Sequence, residues 1–146
     1  MGLDNGFELR KMNDPNFCVQ MSHFRNYYEL RDWMKEHCCR VYEDSDEEYY
    51  VTKEALLDLL AEVTKVIDVL RRYTDREIAY FDDHGYGKVK NIRKIYGNAF
   101  TPQDSISAFA GHKAVHLYTA VESMIEILEI DEFEKQSLYF TFYNSY

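Results

Sequence analysis

From Lys53 to Thr74 the chain reads KEALLDLLAEVTKVIDVLRRYT. Leu56, Leu59, Leu60, Val63, Ile67 and Leu70 recur at helical spacing and share one face. Thr52 stands where an N-cap is needed, Glu54 falls in the first turn, and Arg71 and Arg72 fall in the last, which suits the helix dipole. A helix of this kind gains most of its stability by laying its apolar face on something else. The chain must therefore supply a cover. A second face of the same type runs through HKAVHLYTAVESMIEILEI, where Ala114, Leu117, Tyr118, Val121, Met124, Ile125 and Leu128 line up. No apolar run approaches the roughly 18 residues of a membrane span, so both faces are expected to be buried within the protein.

Extended segments supply the other layer. FELRKM and FCVQM are joined by NDPN, which predicts a β-hairpin with Pro15 in a type I turn. EYYV predicts a short middle strand, and SLYFTFYNSY has the β-branched and aromatic content of a closing strand. Between hairpin and middle strand, Ser22 is expected to cap a first helix over HFRNYYELRDWMKEHC. Phe24, Tyr27, Leu30, Met34 and Cys38 would form its apolar stripe, widened by Tyr28 and Trp33. The fold class expected is α+β: a small antiparallel sheet of N-terminal hairpin, short middle strand and C-terminal strand, covered on one face by about three amphipathic helices. A length of 146 residues suits one domain, 1–146, with 75–111 as an irregular segment or insertion, in which HGYGKVKNIRKIYGNAFTPQDS holds half of the six glycines.

The formal net charge is −9. Such a surface repels nucleic acid and anionic membrane and attracts a basic protein surface; plain solubility is the alternative reading. Cys18 stands apart from the adjacent Cys38 and Cys39, which is neither a disulfide framework nor a C-x-x-C pair, so reduced thiols in a cytoplasm are expected. The N-terminus lacks the basic and apolar regions of a signal peptide. MGLDNG fails as a myristoylation signal because Gly6 stands where Ser or Thr is required.

MGLD, FRNYYELRDWM, EYYVTKEALLDLL and FTFYNSY, in that order, resemble a family of small phage and bacterial proteins that begin Met-Gly-Leu-Asp. Phe24-Arg25-Asn26 stands for an aromatic-Arg-Lys start, Tyr49 to Thr52 for a Tyr-Tyr-Val-Ser/Thr entry, and Tyr143 to Tyr146 for the closing motif. Asn26 departs from the usual Lys and Tyr146 from the usual Trp, and 75–111 has no counterpart. The resemblance implies a shared fold and a phage or prophage setting in a bacterial host cell. It implies no activity.

Several clusters are candidates for chemistry. Asp4 in the opening strand and Arg25 near the first helix are expected to form a structural polar pair, half-buried, so that Asp4→Asn would destabilise the fold. His112 and His116 have ligand spacing, yet HKAVH lacks the glutamate of a metalloprotease motif, and no metal is expected. Asp82, Asp83 and His84 place carboxylates beside an imidazole without a nucleophile. Lys88, Lys90, Arg93 and Lys94 form a basic cluster that could hold a phosphate or balance nearby acids; GYGK is not a P-loop. YEDSDEE lacks the glycine and the closing glutamate of a calcium loop. It does interleave carboxylates with tyrosines: Tyr42, Glu43, Asp44, Asp46, Glu47, Glu48 and Tyr49 together could imitate nucleic acid to a basic groove.

The function expected is that of a non-enzymatic phage or prophage accessory protein without a cofactor, an inhibitor of a host defence system such as an anti-CRISPR. Its partner would be a basic host protein, a defence nuclease such as a CRISPR effector, bound through the acidic and tyrosine residues without direct contact to nucleic acid. The tyrosines leave room for a homo-oligomer. The alternative is a small-ligand binder, a sponge for a nucleotide immune signal, using the basic cluster.

Overall fold

A computed structural model describes residues 2–70 and 111–146. Strands β1 (Asp4–Lys11) and β2 (Asp14–Arg25) lead into helix α1 (Tyr28–His37). Strands β3 (Cys39–Arg40) and β4 (Glu48–Val51) and helix α2 (Lys53–Leu70) follow. Helices α3 (Gly111–Leu128) and α4 (Asp131–Lys135) and strand β5 (Leu138–Ser145) complete the described chain. The five strands form one antiparallel sheet in the order β2-β1-β5-β4-β3. The α+β architecture expected from sequence is the one observed.

Strand alternation decides what each face of the sheet carries. Phe7 and Leu9 on β1 pair with Phe142 and Phe140 on β5, which pair in turn with Tyr49 and Val51 on β4. These six residues meet Leu56, Leu59, Val63 and Val66 of α2 and Ala114, Leu117, Val121 and Met124 of α3 in one hydrophobic cluster. Phe7 and Phe142 pack with tilted rings, 5.2 Å between centroids. The opposite face carries Glu8, Arg10, Cys18, Gln20, Glu48, Tyr50, Tyr139, Thr141 and Tyr143.

β4, α2, α3 and β5 follow the sequence pattern closely. Thr52 Oγ1 accepts a hydrogen bond from the Ala55 amide at 3.1 Å, the cap expected of it. The first third departs in two places. The hairpin turns at Met12 and Asn13, with Asn13 at φ 62°, while Pro15 sits inside β2. A two-residue connection takes an asparagine at positive φ more readily than the Asp-Pro pair. Moreover, β2 runs on to Arg25, so Ser22 caps no helix; its hydroxyl accepts from the Phe7 amide at 3.4 Å instead. The chain turns at Asn26, φ 57°, and α1 begins at Tyr28. Phe24 and Tyr27 still touch edge to face at 5.1 Å, but from a strand and a linker rather than one helix face.

Candidate binding surface

The acidic loop spans the connection between β3 and β4 and is fastened at its base. Arg40 Nη2 lies 2.6 Å from Asp46 Oδ1, and Lys35 Nζ lies 3.7 Å from Asp46 Oδ2. The Tyr49 hydroxyl donates to Asp46 Oδ1 at 3.1 Å. That hydrogen bond, with Arg40 and Lys35 behind it, outweighs burial and holds the Asp46 carboxyl below the usual carboxylate range. Asn144, near the end of β5, donates from Nδ2 to the Asp46 carbonyl at 2.8 Å, and its amide donates to the Glu47 carbonyl at 2.8 Å. Asn5 continues this buried chain: its Nδ2 donates to the Tyr27 carbonyl at 3.0 Å and approaches Asn144 Oδ1 at 3.5 Å.

The seven residues predicted for this site therefore divide. Tyr42 is 58% exposed, and Glu43, Asp44 and Glu47 are exposed beside it. Among the described residues their three carboxylates make no ion pair. Asp46 is occupied within the protein. Tyr49 is only 1% exposed, so its expected role as a partner contact is corrected: its ring packs in the core, 6.4 Å from Phe142. Glu48 leaves the loop and joins the sheet face opposite α2 and α3, where its Oε1 lies 3.8 Å from Arg10 Nη2.

That face holds residues the sequence did not single out. Arg10 Nη2 also reaches Glu8 Oε1 at 3.2 Å, and the Cys18 thiol donates to Glu8 Oε2 at 2.8 Å. Burial lowers the Arg10 pKa, but Glu8, Cys18 and Glu48 together push it up, so the guanidinium stays charged. Burial first, then Glu8, pushes the Cys18 thiol up. Tyr50 and Tyr139 pack at 6.0 Å, and Gln20 Nε2 donates to the Tyr143 hydroxyl at 2.7 Å. A cleft of about 180 Å³ opens here. It runs from Arg10, Lys11, Asp14 and Pro15 across Thr141, Tyr139 and Glu48 to Val41 and Tyr42 of the loop.

Asp4 and Arg25 do meet, at 2.9 Å, and His23 Nε2 lies 3.1 Å from the other Asp4 oxygen. They meet as cross-strand neighbours of β1 and β2, not across a helix start. Their side chains are 35% and 59% exposed, so the half-buried pair expected from sequence is a surface pair. His116 is exposed on α3. Lys88, Lys90, Arg93 and Lys94, like Asp82, Asp83 and His84, lie outside the described residues. No helix among the described residues is long and apolar enough to cross a membrane. No family model, curated protein or solved structure matches the chain.

Proposed function

We propose that this chain is a non-enzymatic binding protein whose acidic loop docks on a basic, nucleic-acid-binding surface of another protein. One observation carries the reading. Tyr42, Glu43, Asp44 and Glu47 are exposed, the three carboxylates without ion pairs among the described residues, on a loop whose base is fixed by Asp46 and Asn144. A fixed base lowers the ordering cost of binding, and unpaired carboxylates around an aromatic residue supply steering and an anchor. The resemblance to small phage proteins points to a host defence nuclease, a CRISPR effector for example, as the partner class.

The test is affinity capture on the tagged protein from nuclease-treated lysate of a phage-susceptible host. A Glu43→Lys, Asp44→Lys, Glu47→Lys variant runs in parallel. Glu48 is left unchanged because it contacts Arg10. The expected result is one basic nucleic-acid-binding protein that is released by salt, competed off by nucleic acid, and not captured by the folded variant. Capture that survives both the charge reversal and salt overturns the reading.

A further inference from the structure

Two residues that line the cleft, on the sheet face opposite α2 and α3, each carry a buried polar atom without a partner among the described residues: Arg10 Nε and Thr141 Oγ1. Thr141 is 1% exposed, and a hydroxyl buried to that degree without a hydrogen bond is destabilising relative to a methyl group of the same shape. A larger groove of about 400 Å³, lined by Met12, Lys53, Leu128, Phe133 and Leu138 among others, contains no such unmet atom. The smaller cleft is therefore the one whose chemistry calls for an occupant.

We propose that this cleft binds a neutral, flat heterocycle of the nucleobase kind, presented as a free nucleoside. Its size, about 180 Å³, lies below the roughly 300 Å³ at which pockets for drug-sized ligands begin, and suits a single small ring system. Tyr42 and Tyr139 furnish aromatic walls, on which bases stack whatever their sequence. Arg10 Nε offers a donor, the Glu48 carboxylate an acceptor and Thr141 a hydroxyl that can serve as either. A ligand must then carry acceptor and donor side by side, as the edge of a base does. Charge selects against a phosphate. Arg10 already lies between Glu8 and Glu48, Asp14 is paired opposite Lys11 across the hairpin, and the chain carries a net charge of −9. An added phosphate would therefore meet a carboxylate beside each cation of the lining.

Guanosine, adenosine, uridine and cytidine, each with its 5′-monophosphate, are titrated by calorimetry against the full chain and against Thr141→Val and Glu48→Gln. The expected result is saturable binding of at least one nucleoside at millimolar concentration or below, with the monophosphate roughly fivefold weaker in low salt. Thr141→Val is expected to keep or raise the melting midpoint of the free protein and to lose the nucleoside. Glu48→Gln should weaken the nucleoside without unfolding the chain. Tighter binding of the monophosphates, binding unchanged in Thr141→Val, or no heat from any nucleoside at several millimolar overturns the proposal. Each of these results leaves the loop-docking reading intact, because Glu43, Asp44 and Glu47 are unaltered throughout.

Discussion

Asp46 shows how one carboxylate can be removed from a binding surface by its own neighbours. Tyr49, Arg40 and Lys35 hold its carboxyl below the usual range, and Arg25, chiefly, with His23 does the same for Asp4. A lowered folded-state pKa gives stability that is present above the unfolded carboxylate value, near 4. That stability is lost as pH falls through the lower folded value. The acid limb of the stability profile should therefore lie below about pH 4. Thermal midpoints measured from pH 7 to pH 2.5 should fall mainly there, and Asp46→Asn should lower the midpoint at pH 7 while flattening the limb. Asp4→Asn should change the neutral midpoint little, since exposed ion pairs contribute little. The thiols give a second prediction. Burial, helped by the neighbouring Cys39, pushes Cys38 up to about 11. Its contribution is fully present below the ordinary thiol value near 8.5 and lost as pH rises towards 11. In the folded protein iodoacetamide should label exposed Cys39 first, Cys18 more slowly behind its bond to Glu8, and Cys38 last. Mass spectrometry of timed digests would reveal any other order.

Gly6 controls the register of the hairpin. Between Phe7 and Glu8 the pairing shifts, so that Ser22 and Gln20 face consecutive β1 residues and Met21 is extra. At Gly6 the backbones approach so closely that an added Cβ would land on the Ser22 carbonyl, which a flexible side chain cannot relieve. Gly6→Ala should cost about 2–3 kcal/mol, the scale of overpacking against a fixed backbone, read as a lower urea midpoint with unchanged slope. Wild-type stability would mean that the bulge is free to slip. At this scale the legible and illegible parts of the sequence separate by physics. Helices α2 and α3 were readable because a long 3.6-residue period admits few alternatives, and β5 because ten residues of aromatic and β-branched content do the same. The start of α1 was not. Phe24 and Tyr27 are three apart by coincidence, and a bulge lengthens β2 past a serine that looks like a cap. EYYV was readable as a strand but not in its facing. Two adjacent tyrosines must point opposite ways, and only pairing with Phe142 shows that Tyr49 is the inward one. The cleft was invisible for a related reason: Arg10, Tyr139 and Glu48 come together through a sheet order that brings the chain's last strand between β1 and β4.

Taken whole, the chain is a polyanion with local exceptions, and salt should act on it in two opposite senses. A net charge of −9 on 146 residues repels itself in the compact state. Asp4–Arg25 and Asp46–Arg40 are surface pairs that screening weakens only modestly. Raising sodium chloride from about 0.01 M to 0.15 M shortens the screening length from about 30 Å to about 8 Å, enough to relieve repulsion across much of the molecule. The thermal midpoint should accordingly rise with salt over that range. The association rate with a basic partner should fall over the same range, because steering by the loop carboxylates is screened as effectively as their mutual repulsion. The Glu43→Lys, Asp44→Lys, Glu47→Lys variant isolates the cause. It should melt higher than wild type in low salt, and its midpoint should depend on salt less steeply. If instead salt lowers the wild-type midpoint, the ion pairs outweigh the net charge. The exposed carboxylates of the loop would then carry no cost to the fold that a binding role is needed to explain.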